Sequence, residues 1–276
     1  MASIPKELRE ALRFITMRDT HHYFAECVAY GITLSEAYHD ALNALYLSGE
    51  WTDCPDWNTE QLECSMTMTV SKPLKEPMIS KMFIGGPLEL QQYTMEMLDG
   101  ILDFEVEKGN WSYTYHQRMT EPVNQIQFVI DELKRNPSSR RAVIMTRDIV
   151  KDTKSSDPAC LQHIQYFIRG GKLYSKVLFR SNDALKATFM NAYALIRLQE
   201  KIANELGVEM GSYVHRANSF HCYKKDFDTL ERYAEAIAKA EEDFDLNSIA
   251  YSYEDDWKDE MEESVSAILE KVEGLR

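Results

Sequence analysis

Cysteine is scarce in this chain, with five in 276 residues at positions 27, 54, 64, 160 and 222. No two form a CxxC pair or take zinc-finger spacing, which argues against a disulfide framework and against a structural metal site. A reduced, cytoplasmic compartment fits that usage. Positive charge is also short: 31 Lys and Arg face 45 Asp and Glu, for a net charge of −14. Such a field does not attract DNA or an anionic membrane surface, although a local arginine cluster can still hold a small anion. No apolar run reaches membrane-spanning length. Met1-Ala2-Ser3-Ile4-Pro5 lacks the charged and apolar regions of a secretory signal. Internal repeats and low-complexity linkers are missing too.

The chain does have enough apolar residues for a sizeable core, with a hydrophobic fraction of 44%. Residues 1–30 read as an N-terminal helical extension. A helix is predicted from Ser35, as cap, to Leu47, then a loop from Trp51 to Asn58. Cys64 to Val70 alternates as a strand does and stops before Pro73. Helices are predicted over Leu88 to Leu102 and Asn124 to Arg135, the second ended by Asn136-Pro137. Ala142 to Thr146 reads as a short strand. Leu161 to Ile168 and Leu173 to Phe179 form a hairpin around Gly170-Gly171. A long apolar helix from Phe189 to Leu206 closes at Gly207. A strand from Ser212 to Ala217 and charged helices over Asp226 to Ala240 and Glu254 to Val272 complete the chain. Irregular interleaving of strands and helices predicts an α+β or mixed α/β domain.

The hairpin gives one cysteine a chemical context. Cys160 stands just before its first strand, and Arg180-Ser181-Asn182-Asp183 ends its second. A hairpin brings its two ends together, so Cys160 should meet Arg180, and a guanidinium favours the thiolate. An isolated cysteine is ordinarily a small buried hydrophobe. Other polar residues stand at telling places. Arg140-Arg141 precedes an apolar strand; paired arginines are usually solvated, but their forks are also good phosphate ligands. Asn191 sits inside an apolar helix, where it is either a satisfied structural amide or a reader of a heterocycle edge. His221 and Tyr223 share one side of an extended segment.

In order along the chain, these residues resemble the thymidylate synthase family and its pyrimidine nucleotide hydroxymethylase relatives. The matching motifs are Arg140-Arg141, Pro158-Ala159-Cys160, Gln165, Arg180-Ser181-Asn182-Asp183, Asn191 and His221-Cys222-Tyr223. Trp111-Ser112-Tyr113-Thr114-Tyr115 is similar to the tyrosine-containing segment lining the family's pocket. The resemblance implies a single α+β domain, a large mixed sheet flanked by helices, with the catalytic domain over 31–276. It implies one-carbon transfer from 5,10-methylenetetrahydrofolate to C5 of a uridylate-type nucleoside monophosphate.

By the same resemblance Cys160 attacks C6 of the base, and Arg180 holds phosphate and lowers the thiol pKa. Ser181 touches phosphate, Asn182 belongs with it to the substrate-binding set, and Asp183 lies near the base and folate. Gln165 belongs to the substrate set, Asn191 reads the base edge, His221 and Tyr223 bind the ribose 3′-OH, and Tyr115 lies near the thiol. Arg140 and Arg141 reach the neighbouring subunit's phosphate, which implies a homodimer with shared active sites. A glutamate serving the base is expected at Glu89 or Glu96. Asn191 favours uracil, since an amide offers the donor and acceptor that O4 and N3–H require.

The chain departs from the family pattern at Leu161, where His is common, and at Ala187-Thr188-Phe189-Met190-Asn191, where Gly-x-Pro-Phe-Asn is usual. Ser219 replaces an Asp, and Glu273-Gly274-Leu275-Arg276 replaces a short apolar tail. These positions bear on closure over folate and leave the Cys160 addition untouched. A hydroxymethylase acting on a uridylate or cytidylate is therefore the alternative enzyme. A catalytically silent nucleotide- or RNA-binding homologue is the alternative from another class. A cysteine hydrolase needs a histidine base, and His163 does not lie on a base-like path from Cys160.

Overall fold

The computed structural model describes residues 24–276. The chain opens with β1 (Glu26–Gly31), α1 (Leu34–Ser48), β2 (Glu50–Cys54), β3 (Thr59–Val70) and β4 (Ile79–Ser80). Next come α2 (Pro87–Asp99), the single turn α3 (Phe104–Glu107), α4 (Tyr115–Thr120), α5 (Gln125–Arg135), β5 (Val143–Met145) and the single turn α6 (Ile149–Asp152). β6 (Leu161–Arg169), β7 (Lys172–Asp183), α7 (Thr188–Leu206), β8 (Glu209–Tyr223), α8 (Phe227–Glu242), β9 (Ala250–Tyr251) and α9 (Lys258–Leu275) complete it.

Seven strands form one mixed sheet, ordered β1-β3-β8-β7-β6-β5, with β2 paired to β3; β4 and β9 form a separate ribbon. β1 is parallel to β3 and β7 is parallel to β8, while β2–β3, β3–β8, β6–β7 and β5–β6 are antiparallel. The architecture is thus the expected single α+β domain. Alternation along each strand separates two faces. Cys27, Met66, Met68, Tyr166, Val177, Phe179, Tyr213 and Ala217 point into the core with α1 and α7. On the other face Val28, Met145 and Lys176 are exposed among the described residues. Register shifts interrupt β3–β8 at Cys64/Met66, β6–β7 at Leu161/His163 and β7–β8 at Leu173/Ser175, and such bulges bend and twist strands.

The β6–β7 hairpin follows its sequence signal. Gly170 and Gly171 have φ of 57° and 74°, the positive pair that a two-residue turn matching strand twist requires. α7 also ends as expected, at Gly207 in the left-handed region with its N–H on the Ala203 and Asn204 carbonyls.

Four expectations need correction. Residues 26–30, read as helix, lie in strand β1; two-residue alternation buries Cys27 and Ala29 while Val28 faces out. Residues 1–23 of the expected helical extension lie outside the described residues. The stretch from Trp51, read as loop, begins as β2, because Glu50–Cys54 finds partners in β3 that local sequence does not announce. Ser35 does not cap α1: Thr33 accepts the Glu36 N–H at 3.2 Å, and the Ser35 hydroxyl donates to the Pro77 carbonyl at 2.6 Å. The last helix begins at Lys258, after a wide turn over Tyr253–Trp257.

Candidate active site

The hairpin places Arg180 opposite Cys160. The Arg180 N–H donates to the Cys160 carbonyl at 2.8 Å. Its side chain folds back on the same loop, with Nε donating to the Ala159 carbonyl at 3.1 Å and Nη2 to the Pro158 carbonyl at 2.6 Å. The guanidinium is therefore fastened to the segment that carries the thiol, with Nη1 lacking a hydrogen-bond partner among the described residues. Cys160 itself is half-buried. Burial pushes its thiol above the ordinary value, the Arg180 cation pulls it back down, and the Asp157 carboxylate pushes it up. Arg180 thus acts in the expected sense, but desolvation outweighs it and the net shift is upward.

Tyr115 starts α4 after Thr114, whose hydroxyl caps the helix by accepting the Gln117 N–H at 3.0 Å. That geometry brings the Tyr115 hydroxyl to the Leu161 N–H, which it accepts at 3.1 Å, one residue beyond the nucleophile candidate. Tyr113 lies 5.5 Å from the Tyr115 ring. Burial raises both phenols, Tyr113 to about 12 and Tyr115 well above its ordinary value, so both are neutral at physiological pH. Beside them lies a cavity of about 390 Å³ lined by Tyr93, Glu96, Trp111, Tyr113, Tyr115 and Asp157, among others.

Of the two candidate glutamates, Glu96 lines this cavity, whereas Glu89 folds back to accept the Gly86 N–H at 2.9 Å and closes the first turn of α2. Burial raises the Glu96 carboxyl, opposed by a hydrogen bond from Gln92 and by the charge of Lys271. Tyr93, one turn before Glu96 on the same helical face, went unrecognised in the sequence. Its phenol donates to Asn191 Oδ1. The signal was available as a three-residue spacing on an amphipathic helix, but that spacing alone does not separate core from pocket.

The remaining residues divide into two groups. Asp183, Ser181, His221 and Tyr223 cluster where β7 and β8 run side by side, with Ser181 level with Ser219 and Asp183 level with His221. Asp183 Oδ1 accepts the N–H groups of Leu185 and Lys186 at 3.0 and 2.9 Å, which shapes the turn into α7. The His221 and Tyr223 rings meet edge-on at 4.9 Å. His221 Nδ1 is 3.4 Å from the Ser219 hydroxyl, and its buried Nε2 has no partner among the described residues. Burial lowers the His221 pKa, with Asp183 acting the other way, so the ring is neutral. The Ser219 hydroxyl also donates to Glu63.

Asn182, Gln165, Arg140 and Arg141 lie elsewhere. Asn182 is buried, and its Oδ1 accepts from Thr188 Oγ1 at 2.8 Å and from His215 Nε2 at 2.9 Å. Burial pushes His215 down to about 3, so it is neutral, and its Nδ1 accepts from the Tyr213 hydroxyl at 2.9 Å. That network joins sheet to helix. Gln165 is five residues along β6 from Cys160 and donates to the Arg140 carbonyl at 2.9 Å. Arg140 and Arg141 are exposed and form no ion pair among the described residues. At about 3.3 Å per strand residue they sit roughly 20 Å along β6 from Cys160.

Comparison with known proteins relates the chain to one family. The family model described as "Thymidylate synthase" matches residues 89–261. A protein of Methanocaldococcus jannaschii named "Putative thymidylate synthase" is 34% identical over 215 residues, covering 73% of this chain and 93% of that one. A protein of the same name from Methanosarcina acetivorans is 36% identical over 153 residues, covering 54% and 67%. Among solved structures, thermostable thymidylate synthase A from Bacillus subtilis matches the fold with a TM-score of 0.59 at 18% identity, over 74% of this chain and 84% of that one. Breadth of match and identity together establish that the chain belongs to the thymidylate synthase family.

Proposed function

We propose that the chain transfers a one-carbon unit to C5 of a uridylate through a covalent adduct at Cys160. Membership of the family supports C5 one-carbon transfer in general; the nucleotide, the product and the residue roles are our reading. The observation that carries it is the Arg180 side chain clamped around the Cys160 loop, which meets an aromatic cavity through Asp157 in its lining and through the Tyr115 hydroxyl on Leu161 N–H. A cavity walled by Trp111, Tyr113 and Tyr115 suits a flat pterin ring stacked near the base. When bound there, 5,10-methylenetetrahydrofolate supplies the one-carbon unit and, for a methyl product, the hydride.

The chain's own residues do the rest. The Cys160 sulfur bonds to C6 of the base, which makes C5 nucleophilic and splits one difficult substitution into two easier steps. The resting thiol is largely protonated, since its pKa is raised. A nucleotide phosphate at Arg180 Nη1 and Ser181 would fix the base over the sulfur. The unpartnered Nε2 of His221 and the Tyr223 phenol fit a sugar hydroxyl. Asn191 serves the base edge, and Asp183 faces the base and folate side. The neutral Tyr115 phenol next to Leu161 N–H holds a proton near the sulfur.

Arg140 and Arg141 are too far along β6 to share this phosphate within one subunit. A symmetric pairing through the open sheet face would deliver them to a partner's site, so the working form is a homodimer with Gln165 bracing the arginine loop.

Incubation with C5-tritiated dUMP and methylenetetrahydrofolate tests the reading. Tritium release with dihydrofolate absorbance is expected for a methyl product, and release without dihydrofolate marks the hydroxymethyl product. Cys160→Ala should bind dUMP and release nothing; release by that variant removes Cys160 from the mechanism.

A further inference from the structure

Asn191 is buried in the first turn of α7, and the two ends of its amide have different surroundings. Oδ1 accepts the phenolic O–H of Tyr93, which arrives from α2. Nδ2 has no protein partner among the described residues, yet it is not one of the buried polar atoms sealed from solvent. Tyr93 also lines the cavity with Glu96, Tyr113 and Tyr115. A phenol has one O–H to place, and Asn191 Oδ1 is the acceptor within reach. Turning the amide over would let its NH₂ donate to the phenol oxygen but would leave the buried Tyr93 O–H with no acceptor among the described residues, at the cost of an unmade buried hydrogen bond. An amide that could otherwise present either end is therefore held one way.

We propose that Tyr93 is a positioning residue that keeps the Asn191 NH₂ facing the base and thereby sets a preference for uracil over cytosine. This rests on the nucleotide reading given above. When Cys160 loses its thiol proton to solvent and the sulfur bonds to C6, the C5–C6 π pair becomes a C4–C5 π bond and the C4–O4 π pair moves onto O4, giving an enolate. C5 then bonds to the one-carbon carbon as the π pair of its C=N bond returns to the folate nitrogen, the C5 proton leaves to solvent, and the C–N bond then breaks with its pair going to that nitrogen. An N–H donor at O4 is stronger in that state than before it, whereas a carbonyl oxygen there would repel the growing charge. Cytosine carries an amine at C4, whose N–H groups would confront Nδ2–H, donor against donor. Asn191 reads the base, and Tyr93 acts through Asn191.

Tyr93→Phe keeps the ring and removes the hydroxyl. The measurement is the ratio of kcat/KM for tritium release from C5-tritiated dUMP and dCMP, with methylenetetrahydrofolate present. The wild-type protein should favour dUMP, and Tyr93→Phe should lower the ratio about tenfold, the effect of one lost buried hydrogen bond. A purely structural role would slow both nucleotides alike and leave the ratio unmoved. A folded Tyr93→Phe with the wild-type ratio, or a wild-type preference for dCMP, overturns the proposal. Release from neither nucleotide by the wild-type protein overturns the nucleotide reading instead, and the role of Tyr93 falls with it. Should Tyr93→Phe not fold, side-chain amide NMR of the wild-type protein decides: dUMP and not dCMP should shift the Asn191 NH₂ pair, and equal shifts overturn the assignment.

Discussion

Cys160 is a nucleophile candidate whose surroundings do not leave it ionised at rest. Burial and the Asp157 carboxylate outweigh the Arg180 cation, so the thiol titrates above its ordinary value. A raised pKa means less thiolate at any given pH, and the thiolate fraction grows as pH climbs through the alkaline range. Alkylation of Cys160 by iodoacetamide, followed by peptide mass spectrometry, should therefore keep rising past pH 9 without a plateau near neutrality. Asp157 is exposed and lies three residues from the sulfur. Asp157→Asn should move the alkylation curve to lower pH, and an unmoved curve would show that its charge is not felt at the sulfur. The same logic separates His221 from His215. Both are neutral by burial, but His215 has both nitrogens satisfied, whereas His221 keeps Nε2 without a partner among the described residues.

At the scale of elements, the β6–β7 hairpin brings the thiol and the guanidinium together. Its tip turns on two positive-φ glycines with open space around both. A side chain there meets no clash, so the cost of Gly170→Ala comes from the left-handed backbone alone, about 1 kcal/mol. A lower denaturant midpoint with an unchanged slope is the expected result, together with retained tritium release, since the tip is remote from Cys160. The β6–β7 register was legible because turn chemistry and two alternating runs agree on it. β2 was not, because its residues have no strong strand pattern and pair only through their position beside β3. The exchange of Ser35 for Thr33 as the cap has a similar cause. Pro77, 42 residues away, takes the Ser35 hydroxyl, and the cap passes to its neighbour.

The whole molecule presents one sheet face to helices and leaves the other with exposed Val28, Met145 and Lys176. Among the described residues no helix is long and apolar enough to cross a membrane. If that face joins two copies, sedimentation should give a dimer at micromolar concentration. Arg141→Ala and Cys160→Ala should each be inactive alone. Mixed after denaturation and refolding, they should regain about a quarter of wild-type activity, because half the dimers are mixed and one site in each is intact. No regain would confine each site to a single subunit.

Local order was available from the chain alone. Motif order and spacing pointed to the family, turn glycines marked the hairpin, and apolar periodicity outlined α5, α7 and most strands. Those features depend on neighbours within a few residues, where steric and hydrogen-bonding rules act directly. Which polar groups meet depended on contacts between distant segments. Tyr93 and Asn191 are 98 residues apart, Glu96 faces a cavity that Glu89 does not, and β1 is a strand because β3 lies beside it. A hydrogen bond, a desolvated thiol or a paired strand edge is set by whatever the packed chain places within a few ångströms, and that proximity arises only on folding.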